Sequence, residues 1–97
     1  MTNILTAAEA AIVLRCAVDD PDMLQLLPMV DRYVIIATGR DWTADDPIPD
    51  EAKMAARILL VRAHEDPGAM AQPAASLSWG LSAALTQLEA VALEMSG

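Results

Sequence analysis

Asp20-Pro21-Asp22-Met23-Leu24-Gln25-Leu26-Leu27-Pro28-Met29-Val30-Asp31-Arg32-Tyr33-Val34-Ile35-Ile36-Ala37-Thr38-Gly39 is the stretch that decides the fold. Asp20 suits an N-cap, because its carboxylate can accept from the unpaired N–H groups of a first turn. Pro21 beside it has the fixed φ of a first helical residue and no N–H to leave unpaired. Met23, Leu26, Leu27, Val30, Tyr33, Val34 and Ala37 then recur at i, i+3, i+4, i+7, i+10, i+11 and i+14, one face of a helix. Pro28 cannot donate to the carbonyl of Leu24 and crowds that turn, which predicts a kink or a looser start. Gly39 is placed to close the helix in a left-handed conformation. Tyr33 to Ala37 is apolar nearly all round, which predicts that this helix is the buried centre of the core.

Working outward, Thr6-Ala7-Ala8-Glu9 has the form of a capping box and predicts a first helix of roughly ten residues from about residue 7. Leu5, Ala8, Ile12 and Cys16 share its expected inner face, and the acidic turn Asp19-Asp20-Pro21 ends it. Downstream, residues 40–50 hold two prolines and four aspartates without helical spacing and read as a loop, with Trp42 folded back over the core edge. Asp50 is the expected cap of a third helix from Glu51 to near Asp66, with Ala52, Ala55, Ala56, Leu59, Leu60 and Ala63 on one face. Residues 67–76, with Pro67, Gly68 and Pro73, have the composition of a flexible connector. Ser76 can cap a fourth helix, in which Leu77, Leu81, Ala84, Leu85, Leu88, Val91, Ala92 and Met95 form a stripe over five turns.

These elements predict an all-α bundle of about four helices in a single domain, 1–97: a core at 4–66, a connector at 67–76 and a C-terminal helix at 77–95. Length agrees, since chains divide into two cores only beyond about 250 residues. Alanine and leucine, 19 and 12 residues, outnumber valine and isoleucine at six each, and both favour helices. An apolar share of 55% is more than one small core can hide, which predicts an oligomer or a subunit of something larger. Fourteen acidic against six basic residues give a net charge of −8, opposite to the basic footprint of a protein that grips phosphates. Cys16 stands alone, so no disulfide framework is expected and an intracellular origin fits. The start lacks the positive region of a leader, and the uncharged segment 77–88 contains Ser78, Ser82, Thr86 and Gln87, so the protein is expected to be soluble and without a membrane partner.

Candidate chemistry is sparse. His64, the one histidine, stands at a helix end, where the macrodipole alone favours it, and lacks the companions of a metal site. Cys16 would need His64 and an oxyanion donor to act as a nucleophile. Asp41, Asp45, Asp46 and Asp50 lack the spacing of a calcium loop. Lys53 and Arg57, four residues apart, are like charges that either face water or meet an acidic partner, and Asp45 and Asp46 in the solvated acidic turn are further candidate charged contacts. No enzyme motif is present, and no catalytic residue, metal or cofactor is expected.

One ordered set of features does point to a family. Leu5-Thr6-x-x-Glu9 leads through an acidic turn into a long helix that closes Ala37-Thr38-Gly39-Arg40-Asp41-Trp42. Pro49 then introduces Ala52-x-x-x-x-Arg57-x-Leu59-Leu60, which closes Ala63-His64-Glu65-Asp66. This arrangement, over residues 4–66, resembles the head–tail connector (adaptor) proteins of tailed bacteriophages. The resemblance implies a structural virion protein: a homo-oligomeric ring docked beneath the portal protein at the head–tail junction. Such a ring passes double-stranded DNA without sequence-specific binding and offers a platform to a tail-completion or stopper protein. Assembly in the bacterial host cytoplasm goes with it.

A closed ring needs heterologous contacts, one patch meeting a different patch on the neighbour. The C-terminal helix is the expected contact, because residues 67–97 hold two charged side chains and residues 1–66 the other eighteen. Leu77, Trp79, Leu81, Leu85, Leu88 and Val91 are its candidate interface residues, and removing 77–97 is expected to leave a folded monomer. The rival expectation is a small acidic regulator, antitoxin-like or anti-repressor, that binds a basic partner by charge.

Overall fold

In a computed structural model, residues 3–45, 47–66 and 79–96 are described, with the backbone alone at 79–81 and 95–96. The described residues form four α-helices and no strand: α1 (Ala7–Leu14), α2 (Pro21–Thr38), α3 (Asp50–Glu65) and α4 (Trp79–Ser96), with a short 3-10 turn at Trp42–Ala44. The protein is therefore all-α. The connector expected at 67–76, the cap at Ser76 and Leu77 lie outside the described residues.

The capping box starts α1 as expected: Glu9 N–H donates to Thr6 Oγ1 at 3.1 Å and Thr6 N–H to Glu9 Oε1 at 3.0 Å. The helix stops two residues short of expectation, at Leu14, because Arg15 turns left-handed (φ 55°). Its inner face also differs. Ala10 and Ala11 are buried, whereas Ala8 is exposed and Ile12 is 78% exposed. Leu5 and Ile4 are buried ahead of the helix, where the chain lies against α2 through the bond from Ile4 N–H to Asp31 Oδ1, 3.0 Å. That entry rotates α1 so that Glu9, not Ala8, turns toward α3. Periodicity alone could not choose between these faces in so short and alanine-rich a helix.

Asp20 caps α2 by accepting from Asp22 N–H at 2.9 Å, and Gly39 closes it at φ 75°, its N–H donating to Ile35 O at 2.8 Å. α2 runs unbroken through Pro28, which sits on the exposed side, where water can serve the Leu24 carbonyl left without its donor. Met23, Leu27, Val30 and Val34 are buried as the pattern requires, with Leu26 and Tyr33 partly covered. The expectation of a fully enclosed second half is overturned: Ile36 is 70% exposed and Ala37 is exposed.

The more enclosed element is α3. Ala52, Ala55, Ala56, Leu59, Leu60 and Ala63 are all at 0% exposure, and the helix packs on α1, α2 and α4. Small alanines let the backbones approach closely, and the leucines fill the space between layers. Asp50 is the first residue of α3 rather than its cap; Pro49 holds the cap position, its carbonyl receiving Ala52 and Lys53 N–H at 3.1 and 3.2 Å. Asp50 and Glu51 then complement the positive end of the helix dipole.

Candidate functional site

The Ala37-to-Trp42 segment is a structural joint. Gly39 lets the chain reverse out of α2, and Trp42 drops fully into the core. Trp42 Nε1–H donates to Thr38 Oγ1 at 2.8 Å, and that hydroxyl donates to Val34 O, also at 2.8 Å, so both buried polar groups are satisfied. Arg40 lies over the indole, 5.3 Å from its centroid, and its Nη2 reaches Asp45 Oδ1 at 2.6 Å. The expectation that Trp42 covers the core edge understates its place at the centre of the joint. Asp45 is thus bound within its own chain, and Asp46 lies outside the described residues.

Lys53 and Arg57 converge on Glu9. Lys53 Nζ stands 2.7 and 2.9 Å from the two carboxylate oxygens, and Arg57 Nη2 4.0 Å from Oε2. The hydrogen bond from Lys53, helped by the Thr6 N–H, holds the Glu9 carboxyl below its ordinary range. The two cations therefore clamp α1 to α3 and meet an acid of their own chain. The sequence left open a solvated face or an acidic partner for these two cations and did not name Glu9, 44 residues away from Lys53.

The α4 stripe is also committed within the chain. Leu88 is fully buried, Leu85 and Ala92 nearly so, and Ala84 and Val91 pack at the margin of the same core, against α2 and α3. Leu85, Leu88 and Val91 consequently pack in cis rather than offering a free contact to a neighbour. The side chains of Trp79 and Leu81 lie outside the described set. The opposite side of α4 is open: Ala83, Thr86, Ala90 and Leu93, at i, i+3, i+7 and i+10, form an exposed stripe, Leu93 at 71%, with exposed Glu89 and Glu94 on either side of it.

Cys16 donates its S–H to Met23 Sδ at 3.6 Å, and burial together with nearby Asp20 pushes its thiol up, away from the reactive thiolate. His64 stands elsewhere, exposed at the rim of a groove of about 410 Å³ between α2 and α3, lined also by Asp22, Gln25, Leu26, Met29 and Ala63. Among the described residues no group of three or more His, Cys, Asp or Glu is arranged to hold a metal ion, and no helix is long and apolar enough to cross a membrane.

Sequence reading missed Asp31, which is buried at 7% exposure, accepts from Ile4 N–H and forms no ion pair with a cation among the described residues. Burial raises its pKa, partly offset by the Ile4 bond and reinforced by the negative charge of Asp41. Its position at i+4 from Leu27 and i−3 from Val34 placed it beside the apolar stripe, a usable signal. Comparison of the chain with known protein families, curated proteins and solved structures finds no match.

Proposed function

We propose that this protein is a structural head–tail connector subunit of a tailed bacteriophage, assembling as a ring below the portal and conducting double-stranded DNA. The observation that carries this reading is the joint at 37–45. This segment, one of several on which the resemblance rests, locks α2, Trp42 and the following loop together, which suits a scaffold. The open α4 stripe of Ala83, Thr86, Ala90 and Leu93 supports it, since an exposed stripe of small and apolar side chains with an acid on either side suits a neighbouring subunit. The ring contact accordingly moves from the buried stripe to this outer face. The net charge of −8 favours a wall that does not trap phosphates.

The test is assembly of the full chain, alone and with its cognate portal protein, followed by light scattering and negative-stain microscopy. Rings or capped portals are expected from the parent, and their loss from Leu93→Glu and Ala90→Glu, with helicity and melting retained. Failure of the parent to form either would refute the connector reading. A stable complex with a basic partner protein in place of rings would favour the acidic regulator.

A further inference from the structure

α2 presents a second pattern, distinct from the one that builds the core. Asp22, Gln25, Met29, Arg32 and Ile36 follow one another at i, i+3, i+7, i+10 and i+14, the spacing of a coiled-coil seam. All five are exposed, Met29 at 46% and Ile36 at 70%. Val18, four residues before Asp22 in the turn that precedes α2, is exposed at 55%. Two apolar side chains on an open seam, Met29 between one acid and one base and Ile36 beyond the base, suit a specific helix contact.

The charges decide what fits. In a parallel pairing with a second copy, Asp22 would meet Asp22 and Arg32 would meet Arg32, both repulsive. In an antiparallel pairing about a two-fold axis at the level of residue 27, Asp22 of each copy lies opposite Arg32 of the other. The same register sets Gln25 against Met29 and Ile36 against Val18. Asp22 and Arg32 are about 15 Å apart along the helix, so the two ion pairs flank two central Gln25–Met29 contacts. Asp19 and Asp20 extend the acidic end of the seam, and opposed helix dipoles reinforce the same orientation. The groove beside the seam, lined by Asp22, Gln25, Leu26 and Met29, is open at the level where Met29 and Arg32 of a second copy arrive.

We propose that the outer face of α2 is an isologous self-association surface, on which a second copy of this chain docks antiparallel through Asp22–Arg32 pairs around Met29. It uses a different helix from the ring contact proposed above, so either contact can fail without the other.

Charge reversal and charge swap test it, read by sedimentation equilibrium of the full chain from about 1 to about 500 µM. The parent is expected to dimerise. Asp22→Arg and Arg32→Asp, both at exposed positions, should each weaken the dimer at least about tenfold while cooperative melting is retained, Asp22→Arg at a small cost because it removes the first-turn acid of α2, and the double swap should restore the dimer. A monomeric parent over the whole range would overturn the proposal, as would reversals without effect. A double swap as weak as the single variants would overturn it too, and so would a larger assembly whose mass all three variants leave unchanged.

Discussion

The first 66 residues and α4 are held in the same core by different means. The first region adds polar cross-links to its buried apolar side chains: Asp31 takes the backbone at Ile4, Glu9 takes Lys53, Thr38 takes Trp42, and Arg40 takes Asp45. α4 is held by the burial of Leu85, Leu88 and Ala92, with Ala84 and Val91 at the edge. Directional bonds fix how helices enter and leave one another, whereas aliphatic contacts mainly exclude water and tolerate volume-conserving change. Orientation in the first region is thus specified by single side chains, and attachment of α4 by summed area.

The largest effect should follow from removing that area. Each buried leucine of α4 contributes about 1.5–3 kcal/mol, and its loss also uncovers α2 and α3. Total stability for a domain of this size is only about 5–15 kcal/mol. Deleting 79–96 should therefore leave no cooperatively melting remnant, contrary to the folded monomer expected from sequence. Leu88→Asp should do the same with the chain length unchanged, whereas Leu93→Asp on the open face should melt close to the parent. Circular dichroism melts of the three variants decide it; a cooperative transition in the deletion variant would show that the first region holds itself together.

Much of this was legible in the sequence, and the exceptions have physical causes. Helix 2, with a cap, a glycine stop and seven apolar positions in register, and helix 3, with its six alanines and leucines, appear where spacing put them. Local chemistry also held for the Thr6–Glu9 box, because both partners lie within one turn. The face of α1 was misread because alanine is too small to bias an eight-residue helix, and the deciding contacts, Ile4 to Asp31 and Glu9 to Lys53, join residues 27 and 44 positions apart. The α4 stripe was legible as a stripe. Whether it packs in cis or on a neighbour depends on the room left by α2 and α3, which no periodicity contains.

The joint comes next in size. Trp42→Ala removes the largest fully buried side chain and should cost about 3–5 kcal/mol. Trp42→Phe keeps much of the volume and loses the bond to Thr38, a cost nearer 1 kcal/mol. Thr38→Val leaves the indole N–H buried without an acceptor, about 1–3 kcal/mol, although it preserves shape. Denaturant melts should rank the three in the order Trp42→Ala, Thr38→Val, Trp42→Phe. If Trp42→Phe proved as damaging as Trp42→Ala, the polar link rather than the packing would dominate the joint.

The smallest effects separate two carboxylates of the first region by their opposite response to pH. Glu9 has a lowered pKa, so its contribution is present above its ordinary value of 4.5 and is lost as pH falls through the folded value below that. Asp31 has a raised pKa, so the folded state holds its proton more tightly. Its favourable contribution is present below its ordinary value of 3.8 and is lost as pH rises through the folded value. Acidification from neutral should therefore first relieve Asp31 and only then release the Lys53 clamp. Glu9→Gln preserves the capping box while discharging the ion pair, and should cost at most about 1 kcal/mol at neutral pH and progressively less as the pH falls through the folded value of Glu9. Asp31→Asn keeps an acceptor for Ile4 N–H without the buried charge, so it should melt at or above the parent at neutral pH, and that advantage should shrink as the pH is lowered. Melting of the parent and both variants across this range gives two curves that depart from the parent at the neutral end in opposite directions, Glu9→Gln below it and Asp31→Asn at or above it, and that converge on it as the pH falls. An Asp31→Asn variant less stable than the parent at neutral pH would show that the charge strengthens the Ile4 bond by more than its burial costs.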